Sequence, residues 1–329
     1  MIKRTLLLGL LVAMGTAITL CPSSGQPQDQ PQTRPADAVQ LTILHVNDTH
    51  GQLETKGNSG GIARLATKLD DIRTACSDQP VLLLHAGDIL SRGDALTRRT
   101  RGAANFALMN HLQFDALTPG NGEYYDGVAN LQARIAQAKF PTLSANVKLK
   151  STGRCLSKPY VIIDAGGVKV AILGLCFVRT DLPSAAPLEV ADPILVARAF
   201  VEELRKKRAD VVVLLTHLGF LDDIRLAAQV PGIDLIVGGH SHNVLPNGHL
   251  VRGPDGADVL IVQAGDYYRY LGRVDLKLRK TGGSYEIFSA KARLIPLDEQ
   301  VRLDPTVTAM IARLASPRPR EAKSPAVAK

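Results

Sequence analysis

The sequence has no tryptophan, only 4% aromatic residues and only four cysteines. None of the cysteines shows the CxxC spacing of a thiolate metal site or a redox site. No stripe of interleaved aromatic and basic residues is present, which argues against nucleic-acid binding. The formal net charge of +8 falls to +3 when the basic pair near the N-terminus and the net +3 of the tail from Ser316 are set aside. That remainder suits a small anionic substrate.

The longest apolar run, from Thr5 to Leu20, is shorter than the roughly 20 residues that a membrane span needs. A basic pair precedes it and small residues follow it, which is typical of a signal peptide over residues 1–24. We therefore expect a periplasmic or secreted protein with no stable membrane span. Cys21 raises the alternative of a lipid anchor, which the preceding leucine disfavours because a small residue usually precedes a lipidated cysteine.

Composition divides the remaining chain into three parts. Residues 25–39 are rich in Pro and Gln and predict a flexible linker. Residues 301–329 predict a terminal helix and a disordered tail. Between them, residues 40–300 alternate short apolar runs with helical segments, without an internal repeat. Strands buried on both faces that alternate with helices indicate a layered α/β fold.

Local patterns place several elements within this domain. The apolar spacing of GGIARLATKLDDIRTA predicts a helix over residues 60–75. The Asp192-Pro193 pair predicts an N-cap and a helix that continues to about Arg208. The segment YVIIDAGGVKVAILGLC predicts a hairpin with a Gly-Gly turn, and Cys176 within it is expected to be buried. The sequence leaves open whether Cys76 and Cys155 form a disulfide.

Polar side chains cluster directly after the apolar runs. These side chains belong to Asp48, His50, Asp88, Asn121, Asn146, His217, His240 and His242. In open α/β sheets ligands bind at the carboxyl ends of the strands, so loops from several strands can bring these residues into one site. By contrast, His45 and His85 lie inside strands and are expected to be hydrogen-bonded core residues. His111 is expected at a helix end and His249 in a solvated turn, while Asp94 and Asp126 are expected to be loop carboxylates.

The clustered residues have the chemistry of metal ligands. Asp48 and His50 are two residues apart, as are His240 and His242, and in an extended segment each pair points the same way. Carboxylate and amide oxygens mixed with imidazoles suit two divalent ions such as Mn, Zn or Fe. Seven ligands are too many for one ion but suit two ions about 3.5–4 Å apart with a bridging carboxylate. The alternative is that polar residues follow these strands by coincidence.

The ordered motifs resemble the calcineurin-like metallophosphoesterase superfamily, and more narrowly the N-terminal domain of the periplasmic 5′-nucleotidase/UDP-sugar hydrolase family. The resemblance covers roughly residues 40–295 and includes ILHVNDTHG, GGIARL, LLLHAGDIL, LSANV, LTHLG, IVGGHSH and YLGRVDL. It implies a four-layer α/β/β/α sandwich with mixed sheets. It also implies a binuclear-metal hydrolase of phosphate esters or related small anionic esters.

The resemblance implies a role for each ligand. One ion is expected on Asp48, His50 and His242, with Asp88 as the bridge. The second ion is expected on Asn121, His217 and His240, and Asn121 and His217 are also the expected catalytic residues. A hydroxide between the ions would attack phosphorus in line with the leaving oxygen, so no Ser or Cys nucleophile is needed.

One motif departs from the family pattern. The family has GNHE followed by an aromatic residue and Asp, and that His and Asp form a dyad that stabilises the transition state or assists the leaving group. Here GNGEYYDG places Gly122 and Tyr125 at those positions, and Asp126 follows one residue later. In an extended segment Asp126 would point to the opposite side. Loss of such a general acid costs about 10²–10⁴-fold in rate, and less for good leaving groups.

This departure keeps other functions open. The protein could be a metal-retaining pseudoenzyme, or a binding or accessory protein. It could also hydrolyse sulfur esters, since the sulfur-oxidation thiohydrolase branch of the superfamily also alters this His; Tyr124 or Tyr125 could then supply a proton. The nucleotidases carry a further C-terminal domain that stacks the base, and we expect it to be absent here. A partner protein could then complete the site.

Overall fold

The computed structural model describes residues 38–316. The expected signal peptide, most of the linker and the end of the tail lie outside these residues. Among the helices of this part of the chain, none is long and apolar enough to cross a membrane.

The described chain alternates strands and helices. In order they are β1 (Ala38–Val46), α1 (Ile62–Ala75), β2 (Val81–His85), α2 (Ala95–Thr100), α3 (Ala103–His111), β3 (Ala116–Leu117), α4 (Val128–Gln137), β4 (Val147–Leu149), β5 (Tyr160–Ala165), β6 (Val168–Cys176), β7 (Leu188–Val190), α5 (Pro193–Lys206), β8 (Val211–His217), α6 (Phe220–Gln229), β9 (Leu235–Val237), β10 (His249–Arg252), β11 (Asp258–Val262), β12 (Tyr270–Thr281), β13 (Ser284–Pro296) and α7 (Pro305–Ala315).

Two mixed sheets form the centre of the fold. The first has the order β13-β12-β1-β2-β3, with β1, β2 and β3 parallel and β12 and β13 antiparallel to their neighbours. The second has the order β10-β11-β9-β8-β6-β5, with β6, β8, β9 and β11 parallel and the two edge strands antiparallel. A small β4-β7 ribbon lies apart from both sheets.

Strand β1 shows why the two sheets are inner layers. Leu41 and Ile43 pack against apolar residues of the second sheet, whereas Leu44 and Val46 pack against α1, α3 and α7. Because successive strand residues point to opposite faces, a strand in an inner layer buries side chains on both faces. The second sheet covers its other face with α5 and α6. The expected four-layer α/β/β/α sandwich with mixed sheets is therefore confirmed.

Several local predictions are confirmed and one is not. Helix α1 occupies the predicted segment, and α5 begins at Pro193 with the side chain of Asp192 accepting from two backbone N–H groups. The β5–β6 hairpin turns through Gly166 and Gly167, both with positive φ. Asn121–Tyr124, however, form a 3₁₀ turn. The expectation that an extended GNGEYYDG segment directs Asp126 to the opposite side is therefore wrong, because strand alternation does not apply there.

The cysteine predictions are resolved by the packing. Cys76, Cys155 and Cys176 are all free thiols, and Cys176 is buried at the end of β6 as expected. The pairing of Cys76 with Cys155 that the sequence left open is not formed.

Candidate metal centre

The candidate ligands lie in loops at the carboxyl ends of the parallel strands. Asp48 and His50 follow β1, Asp88 follows β2, and His217 ends β8. Five of these loop ligands have a positive φ, which is rare for residues other than glycine; they are Asp48, His50, Asp88, His240 and His242. Strained backbone of this kind concentrates at functional sites, where the surrounding structure holds it in place.

Asp48, His50 and His242 form the first group. Their ligand atoms all lie within 4.8 Å of one another. The Nε2 atoms of the two imidazoles are 3.0 Å apart, and His242 Nε2 is 3.3 Å from Asp48 Oδ1. Asp48 and His50 do point to the same place, but through two positive-φ turns and not through the extended segment that the sequence suggested.

Asp48, Asp88 and His217 form the second group. His217 Nε2 lies 3.3 Å from Asp88 Oδ1 and 3.9 Å from Asp48 Oδ1. Asp88 also approaches the first group, with its Oδ2 3.8 Å from His50 Nδ1. Both carboxylates therefore lie between the two sets of imidazoles. Asp48 belongs to both groups, and the bridging role expected for Asp88 stays a prediction.

The two remaining ligands lie beside the second group. The His240 ring is 5.2 Å from the His217 ring between centroids, and its backbone N–H donates to Asp48 Oδ2. Asn121 is buried at the start of the 3₁₀ turn, and its neighbour Gly122 donates its N–H to Asp88 Oδ1. The structure thus brings all seven predicted ligands to one edge of the two sheets. Asn146 does not join them and instead hydrogen-bonds to the main chain of Cys176.

The donor atoms of this cluster fit metal ions. Asp48 Oδ1, Asn121 Oδ1 and His217 Nε2 are buried and have no hydrogen-bond partner among the described residues. Buried polar atoms without partners are rare in folded proteins and need an explanation. The second nitrogen of His217 lies 2.6 Å from the carbonyl oxygen of Ala86, which directs Nε2 towards the carboxylates. Mixed oxygen and imidazole donors suit borderline divalent ions.

The imidazole pKa values reflect the nearby carboxylates. Burial lowers the pKa of His217, but Asp88 and Asp48 outweigh it and raise the pKa to about 10. The carboxylates of Asp266 and Asp48, which lie 3.1 Å and 3.3 Å from its two nitrogens, raise the pKa of His242 to about 9. Burial lowers the pKa of His50, where nearby carboxylates only partly compensate. A divalent ion at this cluster would displace the protons that these imidazoles otherwise carry.

Glu123 joins the two loops that carry Asp88 and Asn121. Its buried carboxylate accepts hydrogen bonds from the backbone N–H groups of Asp88, Ile89, Leu90 and Gly120. Carboxylates held by several backbone N–H groups give strong, charge-assisted contacts. Glu123 therefore fixes the spacing of the loops and does not take part as a ligand.

Ser91 occupies the space beside Gly122. A Cβ atom added to Gly122 would lie 2.6 Å from Ser91 Oγ and 3.0 Å from Asp88 Oδ1. The Ser91 hydroxyl is also 2.9 Å from His50 Nδ1. Ser91 thus takes the place of a side chain at position 122 and at the same time contacts a candidate ligand.

Tyr125 contacts the candidate ligand Asn121. The amide Nδ2 of Asn121 donates to the Tyr125 hydroxyl at 2.6 Å, and this leaves Asn121 Oδ1 directed to the site. Tyr125 remains partly exposed, with 43% of its surface accessible. Its hydroxyl accepts from Asn121 and keeps its own proton available to another group.

Sequence reasoning did not predict Ser91 or Asp266. Asp266 Oδ2 lies 3.1 Å from His242 Nδ1 and orients the imidazole so that Nε2 faces Asp48. A signal was present for Asp266, because AGD at residues 264–266 repeats the AGD that supplies Asp88. No comparable signal marked Ser91.

The other histidines follow their predictions except in two details, one of which is that His249 begins strand β10 and does not lie in the predicted turn. His85 is buried, accepts from the N–H of Gly87 and hydrogen-bonds to Thr49 Oγ1. His45 is also buried, but its Nδ1 has no hydrogen-bond partner within the described residues. His111 ends α3 and is exposed, as is His249. Asp94 is more than a loop carboxylate, since it caps α2 by accepting from the N–H of Thr97.

The chain matches a known family and several known proteins. Residues 41–244 match the family described as "Calcineurin-like phosphoesterase". The chain is 33% identical to a snake venom 5′-nucleotidase of Naja atra, over 84% of this chain and 57% of that protein. It is also 33% identical to a 5′-nucleotidase of Homo sapiens, over 84% of this chain and 52% of that protein. The chain therefore spans about half the length of the curated relatives it matches.

A solved structure shares the same architecture. The 5′-nucleotidase precursor of Thermus thermophilus superposes with a TM-score of 0.76 at 28% identity, over 84% of this chain and 58% of that one. This likeness supports the four-layer sandwich described above.

Proposed function

Because this chain belongs to the calcineurin-like phosphoesterase family, we propose that it is an exported, metal-dependent hydrolase of small phosphate esters or related anionic esters, of the 5′-nucleotidase type. The observation that carries the proposal is the convergence of ligand atoms from Asp48, His50, Asp88, His217 and His242 at one sheet edge. Three buried ligand atoms that lack a hydrogen-bond partner among residues 38–316 support it. Export is supported by the charged start and the apolar run at residues 5–20.

The residues divide between two ion positions. Asp48, His50 and His242 would hold one ion, while Asn121, His217 and His240 would hold the other, with Asp88 between them. Two divalent ions at these positions would supply an activated water and neutralise charge on the phosphoryl oxygens. The protein itself fixes the donor atoms: Ala86 orients His217, and Asp266 orients His242. These contacts reduce the reorganisation needed at the site.

Fewer side chains are available for proton transfer to the leaving group here than in the family, which has the His/Asp dyad. Gly122 offers no side chain, and Ser91 occupies the adjacent space. The Tyr125 hydroxyl lies at the edge of the site and holds a proton that Asn121 does not use. We therefore propose Tyr125 as the proton donor to the leaving group, in place of the family's imidazole. Esters with good leaving groups should be hydrolysed best, because they need little protonation.

The replacement of the family's dyad favours a second candidate function. With Gly122 and Tyr125 at the dyad positions, the protein could bind metal and an anionic ligand without efficient turnover. Under this alternative it acts as a binding or accessory protein, and a partner would complete the site. The two functions differ in turnover and not in metal binding.

The test measures metal content and hydrolysis in the same samples. The purified chain is loaded with Mn²⁺, and turnover of 4-nitrophenyl phosphate is compared with that of phenyl phosphate, which has a poorer leaving group. His217→Ala should abolish turnover because it removes a ligand, whereas His111→Ala, at an exposed helix end, is the matched control. The hydrolase proposal expects metal-dependent turnover with a strong preference for the nitrophenyl ester.

Other outcomes have distinct meanings. Bound metal without turnover above the His217→Ala variant supports the binding-protein alternative. Turnover of a sulfur ester but not of either phosphate ester would instead support a sulfur-directed hydrolase. Absence of bound metal would overturn the ligand assignment itself.

A further inference from the structure

A cavity of about 440 Å³ opens beside the metal centre. Gly122 and Tyr125 form part of its wall, and the guanidinium-bearing residues Arg92, Arg98 and Arg101 line it together with Asp126. Tyr125 and Gly122 both belong to the segment that holds Asn121. The cavity therefore borders the segment that carries Asn121, and it also borders Ser91, which contacts His50.

The charges of this cavity are unbalanced. Arg98 donates to the carbonyl oxygen of Gly93, and Arg101 donates at 3.0 Å to the carbonyl oxygen of Asp126. Both contacts use main-chain oxygens and leave the positive charges uncompensated. Between residues 38 and 316, none of the three lining arginines forms an ion pair with a carboxylate, and Asp126 is the only acidic side chain in the wall. An anion in the cavity would find an excess of cationic donors.

Arg134 adds a fourth positive charge behind this wall. Its Nε and Nη1 atoms are buried and lack a hydrogen-bond partner among the described residues. Burial, and then the positive charge of Arg101, lower the pKa of Arg134. Guanidinium groups of this kind match the geometry of carboxylate and phosphate oxygens. The three arginines that line the cavity therefore suit an anionic ligand.

Gly122 determines how closely that ligand can approach the metal centre. The position of a Cβ at residue 122 is only 3.0 Å from Asp88 Oδ1, so a side chain there would stand between the cavity and the ligand cluster. With glycine, a group in the cavity and a group at the metal centre can belong to one small molecule. At this point the wall carries the smaller side chain of Ser91 in place of the family's imidazole, and the Ser91 hydroxyl lies 2.9 Å from His50 Nδ1.

We propose that this cavity is a subsite for a second acidic group of the substrate. The preferred substrates would then be small esters in which a carboxylate or a further phosphate lies a few bonds from the scissile phosphate. This inference rests on the proposed function, because it assumes that the scissile group sits at the metal centre.

The test uses two phosphonates that differ only in the second anion. Propylphosphonate and 3-phosphonopropionate share a non-hydrolysable head group of similar size, but only the latter carries a carboxylate. Their affinities for the Mn²⁺-loaded protein are measured by calorimetry. We expect 3-phosphonopropionate to bind about tenfold more tightly, since one hydrogen-bonded charge contact contributes that much. Arg92→Gln with Arg101→Gln should reduce the ratio to about one.

Arg99→Gln is the matched control, because Arg99 lies beside Arg98 on α2 but donates to the carbonyl oxygens of Leu314 and Ala315. It should keep the tenfold ratio. The single variant Arg92→Gln, which removes no main-chain contact of Arg98 or Arg101, should reduce the ratio even if the double variant unfolds. Equal affinities in the parent, no binding of either phosphonate, or a ratio that survives both variants would overturn the subsite.

Hydrolysis of 4-nitrophenyl phosphate by the same samples separates the two proposals. Turnover with equal phosphonate affinities means that the hydrolase proposal holds and the subsite does not exist. A tenfold ratio without turnover means that the subsite exists in a protein that is not a hydrolase of this ester.

Discussion

Replacing Gly122 by alanine places a methyl group where Ser91 already lies. The new Cβ would be 2.6 Å from Ser91 Oγ and 2.8 Å from Ser91 Cβ. Rotation of the serine side chain can move Oγ but not Cβ, so the backbone of one loop must shift. Rotation would also break the 2.9 Å contact between Ser91 Oγ and His50 Nδ1. Overpacking of a fitted site costs about 1–3 kcal/mol, and we expect Gly122→Ala to lose stability in this range.

A double-mutant cycle measures this coupling directly. The free energies of unfolding of Gly122→Ala, Ser91→Gly and the combined variant are obtained from urea titrations of metal-loaded protein. Because Ser91→Gly removes the opposing Cβ, the alanine should cost little in the combined variant. The coupling energy should therefore be about 1–3 kcal/mol. Effects that add to within about 0.5 kcal/mol would refute the argument that Ser91 fills the place of a side chain at position 122.

The remaining predictions concern the metal centre. Tyr125→Phe removes the hydroxyl that accepts from Asn121, so the affinity for one metal ion, measured by calorimetry, should fall about 10–100-fold. The control Tyr160→Phe, on β5, should leave the affinity unchanged. Equal metal affinities in Tyr125→Phe and the parent would contradict the orienting role of Tyr125. Asp266→Asn removes the carboxylate that orients His242 and should reduce the affinity for the other metal ion by a similar factor. An unchanged dissociation constant would refute this role of Asp266. Removal of the metal ions by a chelator should lower the melting temperature, because ions at 100 times their Kd stabilise the folded state by about 2.7 kcal/mol. An unchanged melting temperature would argue against metal binding by the folded protein. The triple variant Ser91→Gly, Gly122→His, Tyr125→Asp restores the family's dyad and removes the serine that fills its space. It should raise phenyl phosphate turnover by about 10²–10⁴-fold. No gain in the folded variant would indicate that this site protonates the leaving group in another way.

The fold was predictable because its strongest elements carry clear periodic patterns. Helix α1 has an apolar stripe, α5 begins at an Asp-Pro cap, and β8 begins with five consecutive apolar residues. Helix α3 was predicted only through the helix end at His111, because its buried residues do not form a single stripe. The three-residue strands β4 and β7 were missed because such short segments contain too few residues to show alternation.

The candidate site was predictable in its members but not in its local geometry. The residue types and their order indicated the ligands, while the positive φ values of Asp48 and His50 depend on contacts with the loop after β2. The backbone N–H groups of these residues donate to the carbonyl oxygens of Gly87 and Asp88. Ser91 reaches the site through the same loop. Contacts between distant loops of this kind are set by tertiary packing, and local sequence patterns do not encode them.

The central claim is that this edge of the two sheets binds two metal ions. Crystals of the Mn²⁺-loaded protein would show them in an anomalous difference map recorded near the manganese edge. We expect two peaks about 3.5–4 Å apart, in contact with Asp48, Asp88 and His217. A single peak, peaks elsewhere on the protein, or no peak in fully loaded crystals would contradict it.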